Sequence, residues 1–490
     1  MMGENNLGEY HGKLEKKTGG TLSAPTIAGS LARQFSFEPT ESQTLLFKKM
    51  EAWLTDTQTL KPTFVLKGYA GTGKTSFLAA LVKILPRLNL QIQLMAPTGR
   101  ASKVMSSFTR KLALTIHKRI FRYEVDEFGY PRMRRQKNSF TNTVFVVDEA
   151  SMVGSQQEFG TKSLLEELIA YVFEGKGNRL LFIGDTAQLP PIGTELSLAL
   201  KADELAIRFG LQAVSWELVD VVRQEQDSGI LLNATALREK IRGVASTFAF
   251  QTAGFPDIFR MKANRVHEGI EYAWGKYGME RSLVVTRTNK QAMQYNKMIR
   301  HQILFREEEI EPGDWVIVVK NNYAVLDTES KNGFLANGDL AMVKRVYKTL
   351  EDYPLRMVSL EMKLADDDAA EPIECFCFTS LLYSDLPQLA EAQIKTHQEV
   401  VMSEWQLDEK DSKKLWAKLK TDPVANAVQI KFGYALTCHK AQGGQWDAVF
   451  VDHGFLKEGP LDTEFYRWMY TAVTRARKEV YLIEPDARLL

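Results

Sequence analysis

Cysteine is scarce in this chain of 490 residues: there are three, Cys375, Cys377 and Cys438. At that spacing they supply neither a disulfide framework nor the paired C-x-x-C of a structural zinc site, which points to a reducing, intracellular setting. Long apolar runs are missing as well. No stretch of about 18 uncharged apolar residues occurs, and the opening "MMGENNLGEYHGKLEKKTGG" has no apolar centre for a signal peptide. The expectation is a soluble, cytoplasmic protein with no membrane contact. Excess charge of either sign is absent too. The 62 Lys and Arg nearly cancel the 61 Asp and Glu, so any grip on a polyanion has to be built locally rather than from bulk charge. What is present is apolar material: a 44% hydrophobic fraction over this length suits about two to four globular domains.

Short apolar runs alternate with amphipathic stretches from Thr63 onward. "TFVLKG", "QIQLMAPT", "TVFVVDEA" and "RLLFIGD" read as buried strands, each followed by a turn and a helix, the pattern of an α/β domain with a parallel sheet. A second series begins near Leu211 and continues through "RSLVVTRTNK", "DAVFVD" and "EVYLIEP". It is interrupted by "GDWVIVVKN", "GDLAMVKRVYK", "LRMVSLEMKL" and "IECFCFTSLL", closely spaced strands that predict a small antiparallel barrel or sheet. The charged stretch from Asp385 to Thr421 predicts a helical projection, in which Trp405 and Trp416 either dock on another domain or close the projection's own core. The expected divisions are a flexible lead over 1–34, a first domain over 35–203 with a hairpin insert at 118–143, a second domain over 204–302 and 431–490, and the barrel and helices over 303–430.

"GYAGTGKT", Gly68 to Thr75, fits G-x-x-x-x-G-K-[ST] between a strand and the apolar helix "SFLAALVKIL". Gly68, Gly71 and Gly73 free successive amides of Thr72 to Ser76 to face phosphates at a helix N-terminus. Lys74 would bridge the β and γ phosphates of ATP, and Thr75 would bind Mg2+. "VVDEAS" adds Asp148 as a second magnesium ligand and Glu149 as the base for an attacking water, a pairing that fits hydrolysis. In "LLFIGDTAQLPPIG", Gln188 can donate and accept at a γ-phosphate, although Pro190 and Pro191 also explain the turn.

Taken in order, GYAGTGKT, APTGRAS, TIHK, VVDEAS, GDTAQLPP, VVRQ, YALTCHKAQGGQWD and YTAVTRAR resemble the motif series of superfamily 1B helicases, in the RecD/Dda branch. That is an AAA-type P-loop ATPase with a UvrD-like C-terminal helicase domain. The resemblance runs from about Phe35 to Pro485. It implies an α/β fold of two RecA-like domains that clamp ATP and walk 5′ to 3′ on single-stranded DNA, with a hairpin insert in the first and an SH3-like barrel and helices inserted in the second. It further implies that Gln43 reads adenine, that Arg223 and Arg475 reach the γ-phosphate from the second domain, and that Gly443 approaches it. "GGQ" stands where many relatives have a glutamate last, which leaves the role of Gln445 open.

The same resemblance puts the single strand against Pro97, Thr98, Arg100, Thr115 and His117 in the first domain, and Thr286, Asn289, Thr437, His439 and Lys440 in the second. Hydroxyls and amides of this kind hold phosphates without a basic surface. In the insert, Lys118, Arg119, Arg122, Arg132, Arg134, Arg135 and Lys137 alternate with Phe121, Tyr123, Phe128 and Tyr130. Such a hairpin either stacks bases and tracks phosphates or is a solvated hairpin with structural aromatics. The implied partners are single-stranded DNA and its duplex junctions, with other repair or replication proteins, acting on a monomer. An RNA translocase and a nucleotide-switched binding protein are the competing functions.

Overall fold

The computed structural model describes residues 26–490 except 36, 126–130, 160–161, 221–227, 323–324, 327–333, 351–354, 366–370, 407–411 and 420–421. Arg223, Phe128 and Tyr130 lie outside the described residues, as does most of the N-terminal lead.

The first sheet has six parallel strands in the order Gln212–Leu218, Pro62–Gly68, Arg179–Gly184, Thr143–Val147, Gln91–Ala96, Ala113–Thr115. Its central strands are almost wholly apolar, as burial on both faces demands: all five residues of Thr143–Val147 and all six of Arg179–Gly184 are buried, and only Thr143 and Arg179, which open them, are polar. The register sets Lys67 beside Gly184 and Val147 beside Phe182, so the strand ends leading into Gly68, Asp148 and Asp185 are neighbours along one edge. That carboxyl edge is where open α/β sheets bind ligands. The expected start of the second domain at 204 falls inside this sheet, because "QAVSWEL" pairs with the P-loop strand from Pro62↔Gln212 to Gly68↔Leu218.

The second sheet is parallel and five-stranded, in the order Ile258–Met261, Ala476–Ile483, Trp446–Asp452, Ser282–Thr286, Ala435–Thr437. The sequence between its strands makes the expected barrel. Trp315–Val318, Leu340–Leu350, Met357–Leu364, Ile373–Phe378 and Val428–Phe432 close on one another, the last strand running two residues past the expected boundary at 430; the barrel is not antiparallel throughout as expected, because Ile373–Phe378 pairs with Val428–Phe432 in parallel. Arg300 and Asp314, both fully buried, pair at 3.1 Å where the barrel leaves the second domain, and the Tyr434 hydroxyl donates to Asp314 Oδ1 at 2.8 Å.

Helices Glu391–Glu404 and Ser412–Leu419 form the projection. They bury Val401, Leu415 and Leu419 between them, and Lys418 Nζ sits 3.4 Å above the exposed Trp405 ring. Trp405 therefore stays on the surface of the projection, outside its small core. The side chain of Trp416 is outside the described residues. The insert is a hairpin of Phe121–Val125 against Pro131–Arg135. Several of its cations have structural partners: Arg135 pairs with Glu167 at 2.9 Å and Glu174 at 2.8 Å, Arg119 lies 5.3 Å from the Phe140 ring centre, and Lys118 Nζ lies 5.6 Å from the Phe334 ring centre.

Candidate active site and nucleic-acid channel

The P-loop leaves its strand at Gly68 and enters the helix Lys74–Ile84 through Gly73, whose φ of +89° and missing Cβ are both required. A Cβ there would stand 2.5 Å from Gln43 Nε2. Lys74 Nζ donates to the Gly68 and Tyr69 carbonyls, each at 2.7 Å, which bends the ammonium back over the loop. Thr75 and Ser76 occupy the first turn of that helix. Gln43 is fully buried and both ends of its amide are engaged: Oε1 accepts from Thr40 N at 3.0 Å and Nε2 donates to Thr72 O at 3.0 Å. It braces the P-loop directly.

Asp148 and Glu149 follow the strand Thr143–Val147. Asp148 Oδ1 accepts the Glu149 amide at 2.9 Å. Loss of water in the cleft, then the Glu149 charge, push the Asp148 carboxyl up to about 7, against the pull of the nearby Lys74. Glu149 itself sits at φ +52°, a left-handed conformation uncommon for a residue with a side chain. A crowded carboxylate pair beside a lysine and a helix-N-terminal hydroxyl is a donor set of hard oxygens, which fits a magnesium ion carried on phosphates. Among the described residues there is no cluster of three His, Cys, Asp or Glu that would hold a metal alone.

The second domain meets this edge through the helix Thr463–Val473. The Tyr470 hydroxyl accepts from Ala70 N at 2.9 Å and donates to Asp185 Oδ2 at 2.6 Å. The Thr471 hydroxyl accepts from Leu189 N at 2.8 Å, and Gln442 Nε2 donates to Leu189 O at 2.8 Å. Arg467 donates to the Thr186 and Gln188 carbonyls. Gln188 is buried with its Oε1 unpartnered, an acceptor waiting for a donor within the cleft. Arg475 is also buried; its guanidinium holds Thr471 O, Gly444 O and the Thr474 hydroxyl. Gly443, at φ +72°, packs against Thr98 and Ala101. Gln445 faces outward and accepts from Arg477 Nε at 3.1 Å.

On the far side of this contact a cavity of about 590 Å³ runs between the two domains under the barrel. Pro97, Thr98, Thr115 and His117 line it from the first domain, and Asn289, Thr437, His439 and Lys440 from the second. Two expected strand contacts do not reach it. Thr286 is fully buried, its hydroxyl turned to Thr288 O and Leu436 O. Arg100 stacks on Trp446, its guanidinium carbon 3.7 Å from the ring centre. The cavity adds residues that the sequence reading missed: Arg287 and Thr288 beside Asn289, Asn321 and Asn337 from the barrel, Pro387, and the exposed Ile192. Arg287 adjoins a recognised motif and could have been found; the barrel asparagines carry no local signal. Burial, then the neighbouring Lys431, lower Lys440 to about 8, and burial also lowers His439.

The AAA domain family matches residues 49–250, and the UvrD-like helicase C-terminal domain family matches residues 432–483. The ATP-dependent RecD2 DNA helicase of Deinococcus radiodurans is 25% identical over 428 residues, covering 85% of this chain and 46% of that protein. The chain thus carries an AAA domain and a UvrD-like helicase C-terminal domain. An uncharacterised protein of Acanthamoeba polyphaga mimivirus, R530, is 21% identical over 497 residues, covering 86% of this chain and 95% of its own length. Among solved structures, a Pif1 helicase from Bacteroides, in complex with ADP-AlF3 and ssDNA, aligns over 93% of this chain and 95% of its own at 14% identity, with a TM-score of 0.45. The chain spans about half the length of this Deinococcus relative. No helix among its described residues is long and apolar enough to cross a membrane.

Proposed function

We propose that this protein is an ATP-dependent DNA helicase that moves 5′ to 3′ along single-stranded DNA and opens duplex at the junction. One observation carries the reading: a single helix, Thr463–Val473, ties the second domain to the P-loop and to Asp185, while the channel beside it takes its walls from both domains. A change of fit at the nucleotide therefore moves the two halves of the channel relative to each other.

In this reading Lys74 exchanges the Gly68 and Tyr69 carbonyls for the β and γ phosphates, and Glu149 takes the proton of the attacking water. Gln188 offers its open acceptor to that water. Magnesium, held by Thr75 and Asp148, neutralises phosphate charge when bound. Arg475 stabilises the transition state from the second domain, as does Arg223. The polar walls of Thr98, Thr115, Asn289 and Thr437 hold phosphates in turn, with Lys440 supplying charge and the rings of His117 and His439 offering hydrogen bonds. ATP turnover measured with DNA and RNA oligonucleotides tests this directly: single-stranded DNA accelerates it, and turnover indifferent to any nucleic acid would leave a nucleotide-switched binding protein.

A further inference from the structure

Arg100 was expected on the strand, and the structure gives it a different neighbour. Its guanidinium carbon lies 3.7 Å from the ring centre of Trp446, which is buried and belongs to the other domain. Gly444 makes the stack possible: a Cβ at that position would stand 2.5 Å from Arg100 Nε and 2.6 Å from Trp446 Cη2. The same Gly444 gives its carbonyl to Arg475 at 3.1 Å, and Trp446 N donates to Arg475 O at 2.9 Å. At its other end Arg100 sits in the first turn of the helix Gly99–Thr109, capped by Thr98, whose side chain lines the channel. One unbroken set of contacts thus runs from channel wall to Arg475 across the domain boundary.

We propose that Arg100, Gly444 and Trp446 form the coupling stack through which a strand in the channel sets the position of Arg475, Arg100 being a positioning residue rather than a DNA contact. A planar cation suits this task because it gains most from an aromatic face when both are out of water, and that condition is met only when the domains are closed. The stack is an energetic link between two sites and is tested as one. The inference rests on the function proposed above.

The experiment uses the full chain with a thymidine oligonucleotide, comparing wild type with Arg100→Gln, Gly444→Ala, their double variant and Trp446→Phe. Two quantities are read: oligonucleotide affinity without nucleotide across a salt series, and kcat and KM for ATP at saturating oligonucleotide. Arg100→Gln and Gly444→Ala each lower the stimulated kcat about tenfold, the double variant loses no more than either, and Trp446→Phe, which keeps an aromatic face, loses less. The salt slope of binding stays at the wild-type value. Multiplying losses in the double variant would overturn the stack, as would a slope shallower by about 0.7 for Arg100→Gln, the signature of a lost phosphate contact. Wild-type turnover that the oligonucleotide fails to accelerate would instead sink the proposed function, so the two failures are told apart.

Discussion

The Tyr470 hydroxyl accepts a hydrogen bond from the amide of Ala70, 400 positions earlier in the chain, and donates one to Asp185. One phenol joins the P-loop, the end of the third central strand and the second domain. Tyr470→Phe leaves a buried amide and a buried carboxylate each short of a partner. The expected cost is about 1–3 kcal/mol, read as a lower denaturant midpoint at unchanged slope, together with a lower DNA-stimulated kcat. Full stability with full stimulation would show the contact to be incidental.

The channel separates true wall residues from residues that merely adjoin a motif. Asn289→Ala should weaken oligonucleotide binding several-fold, as the loss of a hydrogen bond worth about 1 kcal/mol implies. Thr286→Val should leave affinity within about twofold, because its hydroxyl faces Thr288 O and Leu436 O. Fluorescence anisotropy on one labelled oligonucleotide ranks the two.

Lys440 sets a pH dependence. Its folded value, about 8, lies below the ordinary 10.5, so the unfolded chain binds more protons between those limits and stability rises with pH across that window. DNA binding runs the other way: above about pH 8 the lysine loses the charge that attracts phosphate. Lys431, also near 8 through burial, shares the window, opposed by Asp385. Oligonucleotide affinity should fall between pH 7 and pH 9.5, and Lys440→Gln should flatten that fall. An unchanged profile in the variant would remove Lys440 from the grip.

At the base of the barrel the buried Asp314 holds two arginines, Arg300 at 3.1 Å and Arg306 at 3.2 Å. Asp314→Ala leaves Arg300 without its carboxylate in a fully buried position, at a cost of about 3–5 kcal/mol. Urea unfolding checks this, and a change under about 1 kcal/mol would show that Arg300 had found another acceptor.

Strand ends were legible wherever the chain punctuated an apolar run with chemistry. "VVDEAS" and "LLFIGD" announced both the buried strands and the carboxylates that leave them, because a fully buried parallel strand needs an uninterrupted apolar run. "QAVSWEL" was assigned to the wrong domain. It is an edge strand, with Gln212, Ser215 and Val214 exposed, so no pattern of burial in the sequence distinguishes which sheet it joins. Arg100 and Thr286 show the other limit. Both stand within motifs whose neighbours line the channel, yet one rotates onto Trp446 and the other into its own sheet, and such rotations are decided by residues hundreds of positions away. Asn321 and Asn337 reach the channel only because the barrel folds over it.

The most direct test of a directional, ATP-driven motor is strand displacement on duplexes bearing a single-stranded tail at only the 5′ or only the 3′ end, with wild type and Lys74→Ala side by side. Wild type should open the 5′-tailed duplex in the presence of ATP and leave the 3′-tailed one intact, while Lys74→Ala binds the tail and opens neither. Opening confined to the 3′ tail, or undiminished opening by Lys74→Ala, would contradict the proposed direction or the proposed engine respectively.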